Sequence, residues 1–303
     1  MWISRLFRDG SGRIVKSVLE YAEKNKELTT DKTGKIRRLL DEVDARDVDG
    51  SSRVRKSIGD GVGSTAETPS TSLARPSVSD RKFATPDLSS IPPLGDFIRG
   101  AAADDKNLLA TLSGFNGRYG PYDVRVSVAN YLHDAEGFTY HASVWDPDKG
   151  MIGILERKIY RDEHSRIVVE NRMMDLDEDA TGKGFGTAFN YAMESYCRRS
   201  GADRMTVLAT DAGAYSMARA GYDFDPTPEL LKSSVSSITN KINSIYPDCT
   251  PADRALLDDV LRRFQGRVIE YPSPSELAAL TGEDRELGRT LMKGTAWHGL
   301  RVL

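Results

Sequence analysis

Residues 177–188 read Asp-Glu-Asp-Ala-Thr-Gly-Lys-Gly-Phe-Gly-Thr-Ala, placing Gly182, Gly184 and Gly186 within five positions. Glycines at this density let the backbone curl until several N–H groups point at one spot. Behind them, Phe185, Ala188, Phe189, Ala192, Met193, Tyr196 and Cys197 recur at three- and four-residue steps, one apolar face of a helix. Ahead of them, residues 166–176 are extended, with β-branched side chains at the start. The positive end of the helix dipole then coincides with the converging N–H groups. That arrangement binds phosphate or pyrophosphate without any special side chain. A tight strand-to-helix turn with nothing bound is the other reading of the same glycines.

The surroundings favour the first reading. Residues 176–188 resemble the acetyl-CoA loop of the GCN5-related N-acetyltransferases. There an apolar strand end is followed by Gln or Arg and then by Gly-x-Gly-x-Gly or Ala. Leu176 takes the apolar place, and Gly182, Lys183, Gly184, Phe185 and Gly186 take the loop. Thr181 replaces the Gln or Arg, which removes one side-chain contact to the pyrophosphate and leaves the backbone contacts and the Lys183 cation. Arg204–Thr210 resembles the next parallel strand of the family, and residues 211–222 resemble its short helix ending in Gly-Phe. The resemblance covers residues 166–226 and extends back toward residue 121. It implies acetyl-CoA as acyl donor, with Leu176, Asp177, Gly182, Lys183, Gly184, Phe185, Gly186 and Thr187 around it. It also implies that the two parallel strands flanking the loop splay apart to admit the pantetheine arm.

Acyl transfer from a thioester to an amine needs a neutral amine, donors for the carbonyl oxygen, an aligned acyl donor and a proton for the departing thiolate. For the base, Glu170 comes first, because a glutamate about ten positions before the loop recurs in that role in the family; Asp175 and Glu156 follow. A surface or ion-paired carboxylate beside Arg172 or Arg157 is the competing reading of Glu170. For the acid, the family's tyrosine position is Met217 here, which donates no proton. Tyr215 is the candidate phenol beside it, although two residues on a helix rotate a side chain by about 200°. Tyr222 stands where the family packs a Phe and reads as core, and water is the other proton source. The acceptor amine stays open among small molecules, protein lysines and aminoacyl-tRNA.

Two further functional readings compete. Gly182-x-Gly184 with Asp211 after the next strand echoes a dinucleotide fingerprint. Its third glycine position is Thr187, however, and antiparallel strands precede it where a strand–helix–strand unit would be needed. The Thr181 and Met217 departures also suit a catalytically silent acetyltransferase-like module that binds or acts as an effector. His133, His141, His164 and His298 lack metal-ligand spacing, so no metal is expected. There is no Gly-x-Ser-x-Gly elbow and no phosphate loop of the GxxxxGK[ST] type. Arg198, Arg199 and Arg204 suit either a 3′-phosphate or RNA contact or the helix dipole. Trp145 and Trp297 read as core.

The elements that must position these residues follow from patterning over 303 residues of net charge −3. Residues 1–85 carry 17 Lys+Arg against 13 Asp+Glu, a mildly basic stretch on an acidic remainder. Residues 1–47 read as a helical arm that contacts the body or a partner. Residues 48–92, rich in Ser, Gly, Thr and Pro, read as a disordered linker. A domain over 93–303 then carries strands at 122–131, 138–145, 151–160 and 166–176, linked by tight turns. Helices are expected at 228–246 and 251–264, a strand at 267–271, and helical turns through 276–292. The fold class is therefore mixed α/β: antiparallel strands, one parallel β-α-β crossover, and extra C-terminal helices. The longer tail resembles acetyltransferase-like domains of actinobacterial toxin-like and phage-linked proteins. Cys197 and Cys249 read as reduced thiols, and no apolar run reaches the length of a bilayer span or a signal peptide core, so a cytoplasmic location is expected.

Overall fold

The computed structural model describes residues 84–99, 105–132 and 136–303. The arm expected over 1–47, the linker as far as Phe83, and His133 lie outside them. Helices α1 (Leu94–Arg99) and α2 (Asp105–Leu112) precede β1 (Gly117–Tyr119), β2 (Tyr122–Tyr131), β3 (Gly137–Asp146), β4 (Gly150–Arg161) and β5 (Ile167–Leu176). The crossover follows: α3 (Phe185–Arg199), β6 (Arg204–Thr210), α4 (Asp211–Arg219) and β7 (Asp223–Phe224). The C-terminal part is α5 (Pro228–Ile245), α6 (Pro251–Phe264), α7 (Pro274–Ala278), α8 (Leu287–Met292) and β8 (Ala296–Val302).

These strands form one sheet in the order β1-β2-β3-β4-β5-β6-β8-β7. Strands β1 to β5 pair antiparallel, β5 and β6 pair in parallel across α3, and β8 lies antiparallel between β6 and β7. The mixed α/β architecture with one parallel crossover and added C-terminal helices is thus as the patterning predicts. Alternation decides which side chains meet the helices. Phe97 packs on Phe138, and Phe115 stacks on Tyr140 and meets Tyr196 edge-on, so α1 and α3 share one sheet face. The apolar stripe of α3, from Phe185 to Cys197, is buried there with Leu155 and Ile159.

Three features differ from the sequence reading. Residues 84–92, assigned to the linker, pack on the body. Leu88 and Ile91 are buried, the Gly120 amide donates to Ala84 O at 2.7 Å, and Tyr196 Oη donates to Pro92 O at 2.7 Å. The β-branched run 267–271 is a 3₁₀ turn, Val268–Glu270, closed by Glu270 N–H to Arg267 O at 2.8 Å. It reaches no sheet edge, and a strand without a ladder partner has no partners for its backbone groups. The closing segment joins the sheet as β8, which the sequence did not indicate. The serines of α5 serve that strand: Ser234 Oγ and Ser237 Oγ accept from the His298 and Ala296 amides, each at 2.9 Å.

Candidate functional site

The glycine loop leaves β5 through the Asp177 amide, which donates to Ile152 O at 2.8 Å, and makes one 3₁₀ turn over Glu178–Ala180. Gly182 (φ +75°) and Gly184 (φ +93°) are both left-handed, which glycine adopts without a Cβ penalty. Gly184 is the N-cap of α3 and has no side-chain cap. Among the described residues, no backbone or side-chain acceptor takes the amides of residues 182–187. Six consecutive N–H groups thus stand at the N-terminus of a 15-residue helix. Around Gly182 no atom comes within 4 Å of a built Cβ, so space is open on that side.

The loop is braced from the sheet. Tyr122 Oη donates to Ala180 O at 3.3 Å, and Lys149, in the β3–β4 turn, pairs with Asp179. That pairing raises the Lys149 ammonium and lowers the Asp179 carboxyl from their ordinary values. Thr181 Oγ1 turns back to donate to Glu178 O at 2.8 Å, so the residue in the Gln/Arg place secures the turn. Phe185 points into the core between Tyr122 and Phe189 and offers only its amide. Lys183 and Thr187 are exposed, Gly186 and Asp177 half-buried.

Beside the loop the sheet opens. Parallel pairing of β5 with β6 ends at Asn171 opposite Val207, although β5 runs on to Leu176 and β6 to Thr210. At the same level Glu156 pairs with Met173 and Arg157 with Asn171, which makes Arg172 the extra residue of a β-bulge. A bulge bends its strand and re-aims side chains. Because β5 and β6 run in parallel, the loop and the start of α4 occupy the same end of the sheet, at the carboxyl ends of both strands. In open α/β sheets, ligands bind outside such strand ends.

The face of β3–β5 turned away from α3 carries a chain of charged groups. Arg172 Nη1 donates to Glu156 Oε1 at 2.8 Å, and its Nε lies 3.7 Å from Glu170 Oε1. Glu156 is 4% exposed, and burial, opposed by Arg172, raises its carboxyl. His141 Nδ1 approaches Glu156 Oε2 at 3.9 Å. Burial first, then Arg172, pushes His141 down from 6.5 to about 4. The imidazole is therefore neutral at pH 7, and the approach is no ion pair. Glu170 is more accessible, its side chain 36% exposed.

Of the other residues singled out in the sequence, Leu176 ends β5 opposite Gly153, and Asp175 lies opposite Ile154. Tyr215 is half-buried on α4, while Met217 is buried with its Sδ accepting from Asn190 Nδ2 at 3.7 Å. Tyr222 is buried, its Oη accepting from Asn171 Nδ2 at 2.9 Å, and Trp297 is fully buried; both are core as expected. The bulge and the buried Arg157 have no local sequence signal beyond an arginine on a strand, and sequence reasoning missed both. No group of His, Cys, Asp or Glu among the described residues is arranged to hold a metal ion. None of the described helices is long and apolar enough to cross a membrane.

No protein-family model matches the chain, and no curated protein matches it. Among solved structures it is similar to Arabidopsis thaliana Naa50 in complex with the bisubstrate analogue CoA-Ac-MVNAL. The identity is 11% over 28% of this chain and 58% of that one, with a TM-score of 0.25. It is also similar to an aminoglycoside acetyltransferase from an uncultured soil metagenomic sample in complex with sisomicin (14% identity, 27% of this chain, 54% of that one, TM-score 0.23). A third is the PaiA N-acetyltransferase from Thermoplasma acidophilum in complex with coenzyme A (16%, 29%, 54%, TM-score 0.24). The chain spans 54–58% of the length of these three.

Proposed function

We propose that this chain is an N-acyltransferase that moves the acetyl group of acetyl-CoA onto an amine. The observation that carries the reading is the run of six acceptor-free amides, 182–187, at the N-terminus of α3. They lie next to a pair of parallel strands whose pairing stops at Asn171 and Val207. The amides bind the pyrophosphate, with Lys183 adding a cation at its rim, and Leu176 and Asp177 border the point where the pantetheine arm enters between β5 and β6. Bound acetyl-CoA supplies an activated acyl group as a thioester. Backbone amides freed where β5 leaves β6 polarise the thioester carbonyl, a role that side-chain identity does not reveal.

Glu170, accessible and on the strand bordering the gap, takes the proton of the incoming ammonium. Arg172 stands between Glu170 and the buried Glu156 and fixes the position of both. The neutral amine then attacks, a C–N bond forms as the C–S bond breaks, the thiolate takes a proton from Tyr215 or from water, and the proton shed by the acylated nitrogen restores that donor. The N-terminal arm is a partner-contacting segment in this reading, the domain over 93–303 gains residues 84–92, and the chain works in the cytoplasm. Thermal shift with acetyl-CoA, CoA, NAD and NADP tests the reading. Stabilisation by the two CoA species alone supports it. Stabilisation by the dinucleotides alone, or by none of the four, sinks it.

A further inference from the structure

Arg157 is 1% exposed, and no carboxylate among the described residues pairs with it. Burial lowers its pKa from the ordinary arginine value. A buried, unpaired cation is costly enough that its position calls for a reason. The reason lies in what it bonds. Arg157 Nη1 donates to Glu156 O and to Met173 O, each at 3.0 Å. Those two residues are the pair on the far side of the bulge from Arg157 and Asn171. The guanidinium also sits 5.3 Å from the Phe189 ring, one turn into the helix that presents the loop amides. One side chain therefore touches the bulge and the helix behind the loop.

A bulge disrupts its ladder locally, and buried carbonyls need donors. Without Arg157, the simplest repair is a one-residue slip that takes Arg172 into the ladder. Such a slip turns every later side chain of β5 to the opposite face and removes the bend that the bulge gives the strand.

We propose that Arg157 is a positioning residue for the acyl donor. By bonding the carbonyls of Glu156 and Met173 it fixes the bulge that turns the end of β5 away from β6, and so keeps open the gap that takes the pantetheine arm. This rests on the CoA reading above.

The test separates the two halves of the ligand. Calorimetric titration of the full chain compares CoA with 3′-phosphoadenosine 5′-diphosphate, which keeps the pyrophosphate and lacks the arm. The wild type should prefer CoA. In Arg157→Met that preference should narrow by about tenfold, the worth of one or two hydrogen bonds along the arm. Affinity for the armless nucleotide should stay within about twofold, because the loop amides are untouched. Arg157→Lys keeps a cationic donor and should recover part of the preference. If the methionine variant does not fold, the lysine variant carries the test, with a narrowing of about threefold expected because an ammonium on a different stem meets the two carbonyls less well. An unchanged preference in a folded variant overturns the proposal. So does a parallel loss of both affinities, which is what a merely structural role predicts, or failure of both variants to fold. A wild type that binds neither nucleotide, or binds CoA no better than the armless one, removes the CoA reading itself and this proposal with it.

Discussion

Gly184 offers a perturbation whose magnitude can be worked out in two independent parts. Its φ of +93° is a conformation that L-residues reach at a cost of about 1–2 kcal/mol. Gly184→Ala should therefore destabilise the fold by that amount, or relax by rotating its peptide planes. For a body of this size that corresponds to a fall in Tm of roughly 2–8 °C. The second part concerns the ligand. Relaxation of the peptide planes displaces one or two amides from the pyrophosphate, each charge-assisted bond being worth about 1.5 kcal/mol or more. The expected loss of CoA affinity is then roughly 10- to 150-fold. Gly201 supplies the control, being left-handed at +73°, just past the end of α3, with nothing within 4 Å of a built Cβ. Gly201→Ala should lower Tm comparably and leave CoA affinity unchanged. Calorimetric titration and thermal melts on both variants make the comparison. Equal CoA affinity in the two would refute the claim that the loop backbone holds the pyrophosphate.

Glu170→Gln should lower kcat/KM by roughly 10²–10⁴-fold with CoA affinity preserved, and should remove the acidic limb of the pH–rate profile; full activity would move the base to Asp175 or Glu156. The depressed pKa of His141, about 4 against 6.5, means that its contribution to stability is complete above pH 6.5 and is lost as pH falls toward 4. His141→Gln should flatten the fall in Tm across that window, measured by melts from pH 7.5 to 4, and an unchanged slope would contradict the burial argument. A chain beginning at residue 93 should be less stable than one beginning at residue 84 by roughly 3 kcal/mol or more, because Leu88 and Ile91 each lose a buried site. Urea unfolding of the two reads the difference, and equal midpoints would return residues 84–92 to the linker.

How much of this was legible in the chain depends on how local each signal is. Strands β2 to β5 and helix α3 are written in extended and helical patterns, with turn residues between them, and they fall where the patterns place them, while β6 came from the family resemblance. The loop was legible because glycine spacing acts through backbone conformation alone. The place of β8 beside β6 was not legible, because it depends on pairing with a strand some ninety residues earlier. The run Arg267–Tyr271 has the composition of a strand, yet composition does not say whether an edge is available. It became a turn with Val268 and Ile269 exposed. Arg157 illustrates the same limit within the site. An arginine on a strand normally reads as a solvated face, and only the structure shows that this one bonds the Glu156 and Met173 carbonyls beside the bulge.

In the proposed function, residues 182–187 and the opening between β5 and β6 together hold acetyl-CoA. A crystal structure of the chain grown with CoA tests it most directly. Pyrophosphate oxygens should lie within hydrogen-bond reach of the 182–187 amides, about 2.7–3.2 Å, with the pantetheine arm between β5 and β6 beyond Asn171 and Val207. CoA seated elsewhere, or at the loop with its arm outside the opening, would contradict it.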